Sequence, residues 1–266
     1  MTGRLDGKVA LISGAGSVGP GWGNGRAAAV LFAQEGAAVF LVDRDQAALE
    51  DTAEQIRSAG ASPITCVADV TDEAAVKELV ARCGRELGGL DVLVNNVGGS
   101  RAGGVVELSL EDWHSQIEVN LTSVFLACKY VVPVMRDRGG GSIVNTASAS
   151  GLRWTGAAQV AYAAAKAAVI QLSRVTAIQY AGDGIRVNTV VPGQLHTPMV
   201  EARLAGQRAG GDVEALLAQR QARIPLGFMG DGRDTAHAAL YLASDESRFV
   251  TGAEIIVDGG MTVRCD

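Results

Sequence analysis

Three side chains between Ser148 and Lys166 have the types and spacing to move a proton. Tyr162 and Lys166 stand four residues apart in a run of small residues, so on a helix they share a face about one turn apart. An ammonium beside a phenol favours the phenolate, which lets the tyrosine exchange a proton nearer neutral pH. Ser148 ends an apolar run and faces the helix across a short loop. Its hydroxyl can donate to a reacting oxygen, and Ser150 is the alternative hydroxyl. Such a set suits proton transfer at an alcohol or a carbonyl. What moves the electrons has to come from elsewhere in the chain.

The elements that must position this set follow from hydrophobic periodicity. Apolar runs of strand length fall at 8–13, 38–42, 63–68, 91–95, 141–147, 185–191 and 254–257. Helical patterns fall between them, at 24–35, 45–59, 72–87, 109–137, 159–181 and 234–244. The strands are near-continuously apolar, as strands buried on both faces should be. The expected fold class is therefore α/β: a doubly wound, largely parallel sheet with helices on both faces. No linker, repeat or low-complexity tract divides the chain, so one domain over 1–266 is expected.

In such sheets ligands bind beyond the carboxyl ends of the strands, where the strand order reverses. Gly14, Asp43, Asp69, Asn96, Ser148 and Pro192 all fall at those ends. The first strand runs into SGAGSVGPGWGNGRAAA and then a helix. Glycines there let the backbone approach a pyrophosphate, and the helix N-terminus offers free N–H groups. Asp43 ends the second strand, where a carboxylate accepts bonds from an adenosine ribose and repels a 2′-phosphate, favouring NAD over NADP. Arg44 beside it could instead contact a 2′-phosphate, and Asp43 could be a loop or N-cap residue. Asp69 could face an adenine or cap the helix that begins near Thr71 and Asp72.

Composition narrows the classes. With 266 residues, 48% of them hydrophobic, the chain can bury a large core. A net charge of −6 argues against a nucleic-acid partner and supplies no basic membrane patch. No run approaches membrane-spanning length and no secretory signal precedes the first strand, so a cytoplasmic protein is expected. Cys66, Cys83, Cys128 and Cys265 are scattered, which reads as free thiols in a reducing compartment. Three unclustered histidines argue against a histidine-built metal site, and no metal is expected.

Taken together, NNVG (Asn95 to Gly98), Asn120, Ser148 and Tyr162-x-x-x-Lys166 resemble the short-chain dehydrogenase/reductase family. The likeness runs through PGQLHTPM to the terminal VTGAEIIVDGG. It implies a single Rossmann-type domain with about seven parallel strands in the order 3-2-1-4-5-6-7. It implies Tyr162 as catalytic acid/base, Lys166 lowering its pKa and holding the nicotinamide ribose, Ser148 bonding the substrate oxygen, and Asn120 holding a water in a proton relay. Implied cofactor contacts are Ser13, Gly14, Gly23, Asn24, Gly25, Asp43, Arg44, Asp69, Val70, Asn96, Gly98, Tyr162, Lys166, Pro192, Gly193, Leu195 and Thr197. Thr197 could also be an N-cap before Pro198. The implied activity is NAD(H)-dependent interconversion of a secondary alcohol and a ketone, with NADP the less favoured cofactor. The implied assembly is a homotetramer or homodimer, through pairing of helices such as 159–181.

Two features depart from the family pattern. Its glycine turn reads T-G-x-x-x-G-x-G, whereas here Ser13 replaces the threonine and VGPGW is inserted before Gly23 and Gly25. Gly14, Gly23 and Gly25 align with the three glycines, although Gly16 or Gly19 could take one role. Inserted Trp22 could close over the cofactor or pack on a neighbouring loop. Ser148 also precedes Tyr162 by fourteen residues, about one more than the family commonly shows. The substrate pocket is expected from Gly99 to Gly103, Leu152 to Thr155 and a helical lid near 194–225, with Gly99, Arg101, Arg153, Trp154 and His196 as candidate contacts. Two other readings remain open: an enoyl reductase, against which the Tyr162–Lys166 spacing speaks, and a non-catalytic dinucleotide sensor, which would have no need of the catalytic set.

Overall fold

Continuously apolar strands need cover on both faces, and the chain supplies it by alternating strand and helix. The computed structural model describes residues 3–208 and 210–265; Met1, Thr2 and Asp266 of the expected domain, Ala209 of the expected lid, and the side chains of Arg203, Ala205 and Arg208 lie outside the description. Seven strands, β1 (Val9–Ser13), β2 (Ala38–Asp43), β3 (Ile64–Val67), β4 (Val92–Asn95), β5 (Gly141–Thr146), β6 (Ile185–Pro192) and β7 (Glu254–Val257), form one sheet in the order β3-β2-β1-β4-β5-β6-β7. Every pairing is parallel, as expected.

Alternate residues of the five inner strands feed two separate cores, while β3 and β7 at the edges feed one each. Val9 and Leu11 of β1 join a cluster with α3 (Glu73–Leu87), α5 (Ser123–Asp137) and α6 (Val160–Tyr180). Ala10 and Ile12 join the opposite cluster with α1 (Asn24–Gln34), α2 (Gln46–Ser58) and α9 (Gly232–Ala243). Asp45 and Asp72 cap α2 and α3 by accepting from backbone N–H groups of their first turns.

The single helix expected at 109–137 is interrupted. It consists of α4 (Leu110–Ile117), a π-helical turn Glu118–Thr122 and α5. A π turn inserts one extra residue, which breaks the helical register at Asn120. By length and composition the stretch Leu110–Asp137 could cross a membrane, which corrects the expectation that no run reaches that length. Its apolar side is spent inside the fold: Val124, Val131, Val132 and Met135 pack into the core.

The segment after β6 also holds more structure than a single lid helix. A π turn Val200–Leu204 and two helices, α7 (Ala205–Arg208) and α8 (Val213–Gln221), share a small cluster of their own, with Val200 and Leu216 at its centre. This satellite cluster is separate from both main cores.

Beneath the sheet edge, a chain of buried amides ties α6 to the strands. Asn95 Nδ2 donates to Asn145 Oδ1 at 2.9 Å, and Asn145 Nδ2 donates to Ser173 Oγ at 2.8 Å. All three residues are at most 4% exposed. Removing the middle member strands its buried neighbours. Asn145→Ala is expected to lower unfolding free energy by roughly 2–3 kcal/mol, the cost of buried polar groups left without partners. Denaturant midpoints with an unchanged m-value would measure it, and a loss below about 0.5 kcal/mol would show that the amide chain is dispensable.

Candidate active site

The strand order reverses between β1 and β4, and there the chain opens a cleft of about 700 Å³. The cleft takes its shape from the turn after β1. Gly14 has φ +66°, and Gly25 packs so closely that a Cβ on it would lie 1.8 Å from the Gly14 carbonyl oxygen. Gly23 occupies the N-cap of α1 with no side-chain cap, and the first turn of α1 has no acidic residue. The first N–H groups of α1 therefore meet the cleft with no internal acceptor, which is the chemistry of an anion site. Asn96 Nδ2 donates to the Gly14 carbonyl at 3.1 Å and locks the turn to the end of β4.

The inserted residues divide between two jobs. Val18 lines the cleft, next to Ser17 of the turn itself. Trp22 packs away from it, against the core beside α9, with the Arg233 guanidinium 5.7 Å from its ring. It neither lines the cleft nor packs on a loop; its neighbour is the helix α9. Arg26, only 3% exposed, holds the insertion from below: it donates to the Gly21 carbonyl at 3.2 Å and to Thr52 Oγ1 at 3.2 Å, and pairs with Asp51. Thr52 Oγ1 in turn donates to the Ala15 carbonyl at 2.9 Å.

Asp43 stands at the rim of the cleft at the end of β2. Its Oδ2 accepts from the Gly16 N–H at 2.9 Å and its Oδ1 from Asp45 at 3.1 Å. Each oxygen keeps a lone pair for a further donor such as a ribose hydroxyl. Arg44, Asp69 and Val70 line the same end. The Asp69 carboxyl is held below its ordinary pKa, first by the Thr71 N–H and then by the Thr71 hydroxyl. Asp72, not Asp69, caps the following helix. These features, an open helix N-terminus, a glycine cradle and a rim carboxylate, fit a dinucleotide.

At the other end, Ser148, Tyr162 and Lys166 line the cleft together. Lys166 is 3% exposed, and its Nζ donates to the Thr146 carbonyl at 2.9 Å. Burial drives its pKa down from 10.5 to about 8. The same Nζ lies 5.9 Å from the Tyr162 ring centre. Ser148 Oγ accepts from the Ser150 N–H at 3.2 Å and still has its own proton to give. Asn120 is fully buried behind the wall: its Oδ1 accepts from the Gly99 N–H, and its Nδ2 donates to the Gly99 and Gln116 carbonyls. The π turn sets it there, so it shapes the Gly98–Gly99 wall without lining the cleft.

Gly14, Gly23, Asn24, Gly25, Asn96, Gly98, Gly99, Pro192, Gly193, Leu195 and Thr197 all line the cleft, as does Arg101, which is ion-paired to Asp112 at 2.8 Å. Four expected contacts need correction. Ser13 is buried behind the turn, where its Oγ receives the Asn96 N–H at 3.3 Å. Arg153 and Trp154 lie outward on the loop after Ser148, Trp154 with 76% of its surface exposed. His196 turns to solvent and meets Glu201 at 3.1 Å. Ser13 closes β1 beneath the turn, and the other three lie exposed, outside the cleft lining. Sequence reasoning passed over Gln159, Gln194 and Arg220, all at most 7% exposed and all lining the cleft. Only the place of Gln194, directly after Pro192-Gly193, could have singled it out.

Comparison with known proteins agrees with this geometry. Residues 20–262 match the family model described as Enoyl-(Acyl carrier protein) reductase. The chain is 39% identical over 263 residues to the 2,5-dichloro-2,5-cyclohexadiene-1,4-diol dehydrogenase of Sphingobium indicum, covering 99% of each chain. It is 41% identical over 260 residues to the 3-oxoacyl-[acyl-carrier-protein] reductase of Thermotoga maritima, covering 98% of this chain and 100% of that one. A solved structure from Burkholderia xenovorans, assigned to the short-chain dehydrogenases/reductases, is 63% identical with a TM-score of 0.96, covering 99% of this chain and 100% of that one. With a seven-stranded 3-2-1-4-5-6-7 sheet and Ser148, Tyr162 and Lys166 at its reversal point, the chain belongs to the short-chain dehydrogenase/reductase family.

Proposed function

We propose that the protein is an NAD(H)-dependent oxidoreductase that interconverts a secondary alcohol and a ketone. One observation carries the reading: a single cleft joins the glycine turn and Asp43 at one end to Ser148, Tyr162 and Lys166 at the other. A bound nicotinamide supplies the hydride acceptor or donor. Tyr162 takes the hydroxyl proton in oxidation and returns it to the carbonyl oxygen in reduction. Lys166, a buried cation beside the phenol, favours its ionised form. Ser148 donates to the same oxygen, a bond that strengthens as negative charge develops there. Asn120 holds the wall at Gly99 and thereby the approach to Tyr162.

NAD is the proposed cofactor because a carboxylate at the end of the second strand, such as Asp43 at the cleft rim, accepts ribose hydroxyls and repels a 2′-phosphate. Use of NADP(H) has one observation in its favour, Arg44 at the same rim. The whole chain is read as one dehydrogenase domain, with residues near 194–225 as the substrate lid. The proposed assembly is a homotetramer or homodimer, for which α6 offers the exposed Val175 and Ile178. The free thiols suit the cytoplasm.

Three outcomes are expected. NAD should bind at least tenfold tighter than NADP by fluorescence titration, and equal affinities would remove the argument from Asp43. Tyr162→Phe should cut turnover of a secondary alcohol by 10²-fold or more, in line with loss of a general acid/base, while NAD still binds. Near-wild-type rates would place the proton transfer elsewhere. The third concerns pH. Lys166 has a folded-state pKa of about 8, below its ordinary 10.5, so between these values the folded protein has released a proton that the unfolded chain keeps. Stability from this residue therefore rises with pH across that window, and the full cost of burying the cation is felt below it. Lys166→Met should be more stable than wild type by an amount that shrinks by about 1–3 kcal/mol from pH 7.5 to 10.5. A gap independent of pH would show that Lys166 is not desolvated.

A further inference from the structure

Arg223 follows α8 and is not part of the cleft lining, yet it grips one of the cleft's walls from outside. Its Nη1 donates to the Thr155 carbonyl at 2.7 Å. The guanidinium rests against Gly156, where a Cβ would come within 2.2 Å of the same nitrogen. Gly156 has φ +83°, so this turn both needs glycine and uses the missing side chain as a seat for the cation. Gln194 Nε2 donates to the same carbonyl at 3.0 Å from the segment after β6. Thr155 is thus held from two sides, by an amide at the end of the sheet and by a cation at the end of α8. The bond from the cation is charge-assisted and the shorter of the two. One turn earlier, Arg220 Nη2 donates to the Leu195 carbonyl at 3.1 Å, a second tie between α8 and the frame.

From Thr155 the contacts run inward to the catalytic end. Thr155 Oγ1 lies 3.0 Å from Ser150 Oγ, and Gln159 Nε2 donates to Ser150 Oγ at 2.7 Å and to Thr155 Oγ1 at 3.3 Å. The Ser150 N–H in turn donates to Ser148 Oγ at 3.2 Å, which orients that hydroxyl. Gln159 is the N-cap residue of α6, whose first turn carries Tyr162. Between these points the loop is pressed onto α6: a Cβ on Gly151 would lie 2.7 Å from the Lys166 carbonyl carbon. A shift of the loop is therefore felt at Tyr162 and Lys166. Resting on the alcohol–ketone reading above, we infer that Arg223 is a positioning residue for the proton transfer: acting through Thr155, it aligns Ser148 with Tyr162 only while the end of α8 is docked on Gly156. A misplacement of about 1 Å, caused from outside a site, can cost about 10²-fold in rate.

Hydrogen exchange, with and without NAD⁺, reads this coupling without turnover. The amides of Ser150 to Arg153 are held by Ser148 Oγ and by the Ser148 and Ala149 carbonyls, so their exchange reports the loop. Arg223→Met, which keeps the length of the chain and loses its donors, should speed their exchange and that of the first turn of α6 tenfold or more. Arg223→Lys, which keeps a charged donor, should stay within threefold of wild type. In oxidation of cyclohexanol with NAD⁺, Arg223→Met should lower kcat tenfold or more while KM changes less than threefold, and Arg223→Lys should restore kcat to within threefold. Gly156→Ala pushes the guanidinium off its seat and leaves Arg223 in the chain. It should reproduce both effects, and it serves if Arg223→Met does not fold. The inference is overturned if faster exchange is confined to α8 or does not appear, if KM rises while kcat holds, or if Arg223→Lys is as impaired as Arg223→Met. Absence of wild-type turnover would count against the alcohol–ketone reading, while the exchange pattern would still decide the role of Arg223.

Discussion

A cation buried under the edge of the sheet sets the geometry of everything around it. Lys166 is taken out of water and donates to the carbonyl of Thr146. Burying an ammonium is costly, and the residue is retained where its charge faces another group that benefits. Here that group is Tyr162, one helical turn away. The helix must therefore lie against the end of β5 at a fixed depth. The buried amides Asn95 and Asn145, ending on Ser173 of the same helix, hold it there. The loop from Gly99 to Gly103 is fitted to the same helix from the other side, with the Gly103 N–H donating to the Ala158 carbonyl and the Val160 N–H to the Gly103 carbonyl.

The opposite end of the cleft solves a different problem, which is to leave backbone donors open. Gly25 lets α1 start against the Gly14 carbonyl, and the enlarged turn would be free to wander without support. Arg26 and Thr52 supply that support from within the protein, and Trp22 anchors the far side on α9. The insertion also approaches the segment after β6: a Cβ on Gly19 would meet Pro198 at 3.5 Å. The two walls of the cleft thus meet at the insertion, which packs against the segment that follows β6.

The parallel strands were legible because buried apolar runs with crossover helices allow few arrangements, while their order followed from the family resemblance. The residues at strand ends, Asp43, Asn96 and Ser148, were legible for the same reason, since the carboxyl edge is fixed once strands are assigned. Substrate contacts were not. Arg153, Trp154 and His196 have suitable chemistry and suitable positions in the chain, yet they lie exposed, outside the cleft lining. Gln194 was overlooked because an amide beside two glycines and a proline carries no distinctive signal until its partner at Thr155, 39 residues away, is in place.

Sequence alone determined the parallel sheet and its carboxyl edge, and brought Ser148, Tyr162 and Lys166 together there, because each depends on periodicity or on a short spacing. Tertiary structure decided three things that depend on distant contacts. It turned the helix at 109–137 through a π turn, so that Asn120 supports Gly99 from behind. It sent Trp22 to α9 instead of over the cleft. It also buried the amide of Gln194, with its Nε2 donating to the Thr155 carbonyl. A side chain's direction follows from what fills the space around it, and that space is made by segments far apart in the chain.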